Sequence, residues 1–387
     1  MIKLPLATST WNEKEVQAIQ TVIKNKKYTM GPMVKKFEKK FANFFGSKFA
    51  VMTNSGSTAN LLMVGSLFMR KKLNMKRGDE VIVPAVSWST TYFPFHQYGL
   101  KLVFVDIDIN TLNLCLEKLE RAITKKTKVI CAVNLLGNPN NFTAIKRIAR
   151  KNKIIVLEDN CESMGAKFKK KFTGTHGLMG TFSTFFSHHI STIEGGLIVT
   201  DNVELYHILL SLRAHGWTRD LPENNLITGK KSNDSFFESF NFVLPGYNVR
   251  PLEISGAIGI EQLKKINSFL KIRRENAKYF KSLFTNHPYI LTQKECGQSS
   301  WFGFSLIIKK GSNINRKDIV TLLKKNKVEV RPIVTGNFLK QPALKYLDYR
   351  VSGKVLSADY IDKNGIYIGN HPFDIKNKLK KIADLLS

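Results

Sequence analysis

Two adjacent histidines mark the stretch of this sequence whose side chains are best suited to acid–base chemistry. His188 and His189 stand in a Ser- and Thr-rich turn between two short apolar segments. This pattern predicts a strand, a polar turn and a second strand. Packing in a core does not by itself account for two histidines among hydroxyl residues. Because the unperturbed pKa of histidine is about 6.5, one imidazole can take up a proton and deliver it again.

A second polar turn follows the predicted strand 49–52. It contains Gly56 and Ser57, and the apolar residues from Leu61 onward predict a helix. A strand, a Gly/Ser-rich turn and a helix form a phosphate-binding arrangement, because free backbone N–H groups and the positive end of the helix dipole meet there. A serine N-cap beside a glycine in a tight turn explains the same pattern equally well. The turn has neither the G-K-[ST] of a Walker A loop nor the spacing G-x-G-x-x-G.

Two further candidate positions follow predicted buried strands. The apolar segment 154–157 ends at Glu158 and Asp159, and Glu162 lies close behind it. Burying a carboxylate there is costly without a partner, and a protonated pyridine nitrogen is such a partner. Trp88 follows another apolar strand, at the edge where ligands collect in open α/β sheets, although the commonest place of a tryptophan is the core.

Basic and aromatic residues after the histidine turn are candidates for binding an anionic ligand. His215 and Arg219 follow a predicted helix and are suited to carboxylate or diphosphate oxygens. A solvated or capping pair is nearly as good an explanation. The polar stretch 220–235 predicts a long loop, and Phe240 belongs to a run of aromatic residues at its end. We expect these aromatics to cover a site or to form a contact between subunits.

The alternation of strand and helix patterns predicts the α/β class, with a mostly parallel sheet flanked by helices. A chain of 387 residues with 43% hydrophobic side chains can bury two cores. The stretch 245–251 predicts the boundary between them. We therefore expect a large cofactor-binding domain in residues 1–247 and a small C-terminal α/β domain in residues 248–387.

Charge and cysteine content restrict where the protein works and what it binds. The formal net charge is +30, but lysines are spread along nearly every amphipathic segment, without a basic arm or zinc-finger spacing. We therefore expect no nucleic-acid partner, although the positive field can attract an anionic sugar nucleotide. No run of eighteen apolar residues occurs, the N-terminus lacks a signal-peptide layout, and the four cysteines form no C-x-x-C pair. These features predict a reduced, cytoplasmic enzyme that does not associate with a membrane.

The segment 180–196 resembles the cofactor-anchoring loop of the sugar aminotransferases of the DegT/DnrJ/EryC1/StrS family, which belong to the aspartate aminotransferase superfamily (fold type I). The likeness extends from residues 5–11 to the last predicted strand. In those enzymes a lysine five residues after the serine holds pyridoxal phosphate (PLP) as a Schiff base. The fifth residue after Ser183 is His188, and residues 172–229 contain no lysine.

A histidine at this position resembles the family's sugar 3-dehydratases, which use pyridoxamine phosphate (PMP). The resemblance makes His188 the catalytic base, in preference to His189, and leaves the cofactor without a covalent bond to the protein. It also implies the cofactor-binding residues. These are Gly56 and Ser57 for the phosphate, Trp88 for the ring face, Asp159 for the ring nitrogen, Glu162 for the ring-oxygen side, Ser183 in the anchoring loop, and Asn248 for the phosphate of the neighbouring subunit.

The resemblance further implies a substrate, an amino donor and an assembly. We expect a GDP-linked 4-keto-6-deoxy sugar to lose its C3 hydroxyl and become a 4-keto-3,6-dideoxy sugar for an O-antigen or capsule. Glutamate regenerates PMP, and ammonia is released. A mannose-configured hexose is favoured over a heptose. We expect a homodimer with shared active sites, in which His215, Arg219 and Phe240 bind the substrate.

Three alternatives remain at this point. The chain could be a PLP-dependent nucleotide-sugar aminotransferase that uses another lysine, or a catalytically inactive, ligand-binding regulator. The presence of the predicted cofactor-binding residues argues against the inactive protein. A dehydrase with an iron–sulfur cluster and a partner reductase needs cysteines gathered near one another. The four cysteines of this sequence are scattered, which argues against a metal cluster.

Overall fold

Strands and helices alternate along the chain, as the sequence pattern predicted. A computed structural model describes residues 2–387. The strands are β1 (Phe49–Thr53), β2 (Glu80–Pro84), β3 (Lys101–Val105), β4 (Thr127–Val133), β5 (Ile155–Asp159), β6 (Lys167–Phe168), β7 (Lys171–Phe172), β8 (Met179–Ser183), β9 (Gly196–Thr200), β10 (Asn224–Asn225), β11 (Gly229–Lys230), β12 (Ile290–Leu291), β13 (Gly303–Ile308), β14 (Val330–Arg331), β15 (Tyr349–Val351) and β16 (Gly365–Gly369). The helices are α1 (Glu13–Lys24), α2 (Pro32–Phe45), α3 (Gly56–Met69), α4 (Ser89–Gln97), α5 (Leu116–Arg121), α6 (Phe142–Lys151), α7 (Val203–Arg213), α8 (Ser235–Glu238), α9 (Glu253–Phe284), α10 (Arg316–Lys325), α11 (Leu356–Asn364) and α12 (Lys376–Leu386).

The larger sheet has eight strands in the order β1-β9-β8-β5-β4-β2-β3-β15. β9 lies antiparallel to both of its neighbours, and the other pairs are parallel. The prediction of a mostly parallel sheet is therefore confirmed. β15, from the C-terminal part of the chain, extends the edge of this sheet. Parallel strands are buried on both faces, which explains the continuous apolar runs that marked them in the sequence.

Helices cover both faces of the larger sheet. α3, α4 and α7 pack on one face. On the other face, α5 and α6 cover the middle strands, and α2 and α9 cover β1, β8 and β9. Val81 and Val83 of β2 point to the first face and Ile82 to the other, as the two-residue period of a strand requires.

Two element boundaries differ from the sequence prediction and affect the site. α3 begins at Gly56 and not at Leu61, because the Ser55 hydroxyl caps it and accepts a hydrogen bond from the Thr58 N–H at 3.1 Å. The Gly56 turn is thus the first turn of a helix. β5 continues through Asp159, so this carboxylate belongs to the strand itself.

α9 connects the larger sheet to a smaller one. The sequence pattern of residues 252–283 predicts one long helix or a pair of helices, and the structure has one continuous helix. It packs on α1 and α2, and its C-terminal half lies against an antiparallel sheet in the order β12-β13-β16-β14, which α10 and α12 also cover. The predicted loop 220–235 contains the short hairpin β10–β11. Within the described residues, we find no helix whose length and apolar character would suit a membrane span.

A buried ion pair ties α2 and α7 to β1, the strand that leads into the Gly56 turn. Glu38 and Arg213 are both buried, and the guanidinium bonds the carboxylate directly. Arg213 also donates to the carbonyl of Met52 at 2.9 Å, and the Met52 N–H donates to Glu38 at 2.7 Å. The pair therefore fixes β1 relative to both helices.

We predict that Arg213→Met destabilises the protein by about 3–5 kcal/mol, because it leaves the Glu38 carboxylate buried without its partner. Urea unfolding followed by circular dichroism measures the loss. The double variant Glu38→Leu/Arg213→Met removes both charges and should be more stable than Arg213→Met alone. A double variant that is the less stable of the two would show that the cost does not arise from an unpaired charge.

Candidate active site

A cavity of about 270 Å³ opens where β5 and β8 end, between the larger and the smaller sheet. It is lined from the N-terminal ends of α3 and α4, from the turn after β8, and from Arg331 and Tyr367 of the smaller sheet. Seven residues that the sequence singled out line this cavity: Gly56, Ser57, Trp88, Asp159, Glu162, Ser183 and His188. The structure thus brings most of the predicted site together in one place.

The N-terminal end of α3 borders the cavity with backbone N–H groups that have no acceptor inside the helix. A Cβ atom on Gly56 would lie 2.8 Å from the Cβ of Ser183, so only glycine permits this close approach of β8. The neighbouring Ser57 hydroxyl donates to Thr90 at 3.0 Å. A helix N-terminus of this kind attracts anions, which fits the phosphate site predicted from the sequence.

Asp159 is the buried carboxylate of the site, with 6% of its surface exposed. Its Oδ2 accepts hydrogen bonds from Thr91 Oγ1 at 2.7 Å and Asn60 Nδ2 at 2.9 Å, and its Oδ1 accepts one from the Cys161 N–H at 3.1 Å. All three donors are neutral, and no ion pair within residues 2–387 includes Asp159. A carboxylate presented to a cavity without a cationic partner fits a ligand with a protonated ring nitrogen.

Glu158, the other carboxylate at the end of β5, is bonded to a backbone loop and does not line the cavity. Its carboxylate is fully buried and accepts hydrogen bonds from the N–H groups of Gly174 at 2.6 Å, His176 at 2.5 Å and Gly177 at 2.7 Å. Successive residues of a strand point to opposite faces of the sheet. Glu158 therefore holds the loop of residues 174–177, while Asp159 faces the cavity.

Glu162 lines the cavity near Asp159 and has a perturbed protonation equilibrium. Burial raises the pKa of Glu162 to about 7, a hydrogen bond from the Leu136 N–H at 3.0 Å opposes the shift, and the charge of Asp159 adds to it. Near neutral pH this carboxyl is therefore poised between a donor and an acceptor.

The two histidines of the turn occupy different environments. His188 lines the cavity, and its ring lies 5.2 Å from that of Phe302. His189 is fully buried, and its Nε2–H donates to the carbonyl of Ser300 at 3.2 Å. Burial, and after it the charge of Arg273, lowers the pKa of His188 to about 4 and the pKa of His189 well below its ordinary value. His188 is thus the histidine placed to exchange a proton with a bound ligand.

Four residues predicted to bind cofactor or substrate do not line the cavity of their own chain. The Arg219 guanidinium lies 3.9 Å over the ring of Trp217 and 5.7 Å over that of Phe240. His215 packs edge-on against Trp217 at 5.0 Å, and Asn248 lies on the adjoining segment. The roles of these four residues toward a ligand stay predictions.

Sequence reasoning missed residues that complete the cavity. Asn60 and Thr91 bond Asp159, and each lies one helical turn after a predicted cofactor-binding residue, which is a usable signal. Arg331 and Tyr367 come from strands distant in the sequence, and no local pattern indicated them. Within residues 2–387, Arg331 is the only lysine or arginine that lines this cavity.

The sequence matches the model of the DegT/DnrJ/EryC1/StrS aminotransferase family over residues 9–387. The chain belongs to this family. Among members of the DegT/DnrJ/EryC1/StrS family, it is similar to GDP-4-keto-6-deoxy-D-mannose 3-dehydratase of Yersinia pseudotuberculosis. The two are 62% identical over 387 residues, which cover 100% of this chain and 98% of that protein.

Two solved structures share the fold of this DegT/DnrJ/EryC1/StrS chain. Each is 60% identical to it, covers 100% of both chains and superposes with a TM-score of 0.98. One is GDP-4-keto-6-deoxymannose-3-dehydratase as an H188N mutant with bound GDP-perosamine, and the other is the same enzyme with a trapped PLP-glutamate geminal diamine. The predicted fold class, the PLP-dependent transferase fold type I, is confirmed.

We predict that Glu162→Gln stabilises the cofactor-free protein at pH 8 and has little effect at pH 5. The pKa of Glu162 rises from 4.5 to about 7 on folding, so stability that is present below the lower value is lost as the pH rises through the higher one. Glutamine stays neutral and can still accept the Leu136 N–H. Urea unfolding at both pH values should show that the free energy of unfolding rises by about 1–3 kcal/mol at pH 8. An equal effect at the two pH values would contradict the raised pKa.

Proposed function

We propose that this protein is a sugar-nucleotide 3-dehydratase that uses PLP and PMP. It removes the C3 hydroxyl of a GDP-linked 4-keto-6-deoxy sugar and forms the 4-keto-3,6-dideoxy sugar. The substrate we favour is GDP-4-keto-6-deoxy-D-mannose, the sugar nucleotide in the names of the similar enzymes. One observation carries the proposal: His188 lines the cavity at the position where sugar aminotransferases bear the cofactor lysine.

The residues around the cavity fit the cofactor. In this proposal, the helix N-terminus at Gly56 and Ser57 binds its phosphate, Trp88 covers its ring, Asp159 holds the protonated ring nitrogen, and Glu162 lies on the ring-oxygen side. Ser183 approaches Gly56 so closely that the cavity is shaped by both. When bound, the cofactor supplies an amine that captures the C4 carbonyl of the sugar and a pyridine ring that draws electrons away from it.

His188 supplies the acid–base chemistry. Its neutral imidazole can accept a proton from a carbon atom held in the cavity, and the resulting imidazolium can deliver a proton to the C3 hydroxyl, which leaves as water. Because the pKa of His188 is lowered to about 4, the free imidazole is neutral near pH 7 and its conjugate acid is a strong proton donor. A lysine here would bind the cofactor covalently. Histidine forms no such bond, so elimination remains the productive outcome.

The complete reaction balances with glutamate as the reductant. The sugar exchanges its C3 hydroxyl for hydrogen, while glutamate is oxidised to 2-oxoglutarate and loses its nitrogen as ammonia. One sugar nucleotide and one glutamate therefore give one dideoxy sugar nucleotide, one 2-oxoglutarate and one ammonia. The similar enzyme whose structure holds a PLP-glutamate geminal diamine supports glutamate as the amino donor.

The proposal extends to the domains and the cellular setting. We assign cofactor binding to a large domain in residues 1–247 and closure of the cavity to a small domain in residues 248–387, which contributes Arg331 and Tyr367. The enzyme would act in the cytoplasm, and its product would serve a surface polysaccharide such as an O-antigen or capsule. A relative that is 33% identical over 374 residues is a lipopolysaccharide biosynthesis protein of Salmonella typhimurium, which supports this setting.

We also propose a homodimer in which two copies complete each other's active site. The cofactor phosphate and the substrate diphosphate are strongly anionic, yet Arg331 is the one arginine or lysine lining the cavity in the described chain. The predicted ligand-binding residues outside the cavity are Asn248, His215, Arg219 and Phe240. Phe240 is 66% exposed, and Arg219 packs over it. A second copy that places this surface at the cavity would supply the missing cation and an aromatic face.

The stoichiometry of turnover tests the proposed function. Purified protein incubated with PMP, glutamate and GDP-4-keto-6-deoxy-D-mannose should convert the sugar nucleotide to a species that is one oxygen atom lighter by mass spectrometry. Ammonia and 2-oxoglutarate should appear in equal amounts. An amino sugar without free ammonia would identify an aminotransferase instead, and no turnover of glutamate would indicate a ligand-binding protein.

Substitution of each histidine is the control for this assay. His188→Asn removes the base while keeping a polar side chain, and dehydration should fall by about two to four orders of magnitude. Binding of PMP should persist, because the predicted cofactor-binding residues do not include position 188. His189→Asn should retain more activity than His188→Asn. The reverse order would assign the base to His189.

Complementation between two inactive variants tests the shared site. Asn248→Asp places a negative charge at the predicted phosphate site, and His188→Asn removes the base from the other chain. After subunit exchange, one site of each hybrid dimer carries neither lesion, so activity should reappear in the mixture. If the mixture stays inactive while each parent is folded and dimeric by light scattering, the sites are not shared.

A further inference from the structure

Four consecutive backbone carbonyls, those of residues 299–302, join the histidine turn to α9 and to the end of β16. Each accepts a hydrogen bond from a different side chain. The donors are Arg274 Nε to Ser299 at 3.0 Å, His189 Nε2 to Ser300 at 3.2 Å, Asn370 Nδ2 to Trp301 at 2.9 Å and Arg273 Nη1 to Phe302 at 3.4 Å. This 299–302 segment is therefore held by α9 and by the turn that carries His188.

Arg273 is a buried cation that forms no ion pair with any acidic side chain in residues 2–387. It is 4% exposed, and its guanidinium donates to the carbonyls of Asn370, at 2.7 Å, and Phe302. Its Nε has no hydrogen-bond partner among the described residues. Burial lowers the pKa of Arg273 to about 10, which leaves it charged at neutral pH. Holding two carbonyls does not require a full charge, and a buried unpaired charge is costly.

The His188 imidazole packs on Phe302 of the 299–302 segment and, from its own turn, on Phe185. Its Nδ1 is buried and has no hydrogen-bond partner in residues 2–387. Its ring lies 5.2 Å from the Phe302 ring, and the ring of His189 lies 5.7 Å from the same phenyl group. Arg273 bonds the Phe302 carbonyl, so it fixes the residue on which both imidazoles pack.

Charged and titratable groups surround His188 on several elements. His189 adjoins it in the same turn, and Arg273 acts on it from α9. The other titratable side chains that line the same cavity are Asp159, Cys161, Glu162, Glu194, Arg331 and Tyr367. After burial, Arg273 is the largest influence that lowers the pKa of His188.

We propose that Arg273 is a positioning residue for the dehydration: it holds the His188 imidazole in place through Phe302 and keeps it neutral through its own unpaired charge. Only the catalytic consequence rests on the proposed function. A proton that His188 takes from carbon is destabilised by the charge of the buried guanidinium and passes on to the C3 hydroxyl. The C3–oxygen bond then breaks with water as the leaving group, and the imidazole returns to its neutral form.

Histidine-selective NMR titration tests this proposal on the cofactor-free protein. The His188 signal, in protein labelled at histidine Cε1, is identified by its loss in His188→Asn. We expect a wild-type titration midpoint of about 4, and Arg273→Met should raise it by about one pH unit or more. In turnover assays the acid limb of kcat/KM should move upward with it, because the base must be neutral.

Three further variants separate charge from packing. Arg273→Lys keeps a positive charge and should leave the midpoint low. Arg274→Met removes the neighbouring cation, which acts on His189 and not on His188, and should leave the His188 midpoint unchanged. If Arg273→Met does not fold, Arg273→Gln, which keeps a donor toward the Phe302 carbonyl, replaces it. A wild-type midpoint near 6.5, or one that loss of the Arg273 charge leaves unchanged, overturns the proposal whether or not the protein dehydrates the sugar.

Discussion

The buried carboxylate of Asp159 is the constraint around which this site is arranged. Its donors come from α3 (Asn60), α4 (Thr91) and the backbone after β5, and all are neutral. The same α3 carries the Gly56 turn, and Trp88 directly precedes α4. One set of hydrogen bonds therefore links the carboxylate to the N-terminal end of α3 and to the start of α4 beside Trp88. In the proposed function, the cationic ring and the phosphate of the cofactor bind at Asp159 and at the end of α3.

The surface of the protein and the lining of its cavity differ in their content of basic side chains. The chain has a net charge of +30, yet the cavity is lined by a single arginine and no lysine within the described residues. An amine in the cavity would compete for the carbonyl chemistry that the cofactor performs. Arg273 lies behind the histidine turn, where it affects the basicity of His188 without lining the cavity. In the proposed function, the positive field of the surface attracts the sugar nucleotide, while no lysine of the described residues lines the cavity.

Local sequence patterns predicted the helices and strands that have a regular spacing of apolar residues or clear terminating residues. The sequence patterns predict a strand over residues 101–105, a helix over 142–151 and a last strand over 365–369, and β3, α6 and β16 have these bounds. The start of α3 was predicted five residues too late, because a polar first turn has no apolar period and is stabilised by the Ser55 cap. No sequence pattern predicted β15, the edge strand of the larger sheet, because its pairing with β3 joins residues far apart in the chain.

The sequence by itself determined the α/β class, the family and the replacement of a lysine by histidine, because each is written in contiguous residues. Only the tertiary structure decided which of two adjacent histidines lines the cavity and which of two adjacent carboxylates faces it. It also decided that Arg331 and Tyr367 line the cavity and that Arg273 lies behind the histidine turn. The physical reason is that burial, charge and side-chain direction depend on neighbours brought from distant parts of the chain, which no local spacing records.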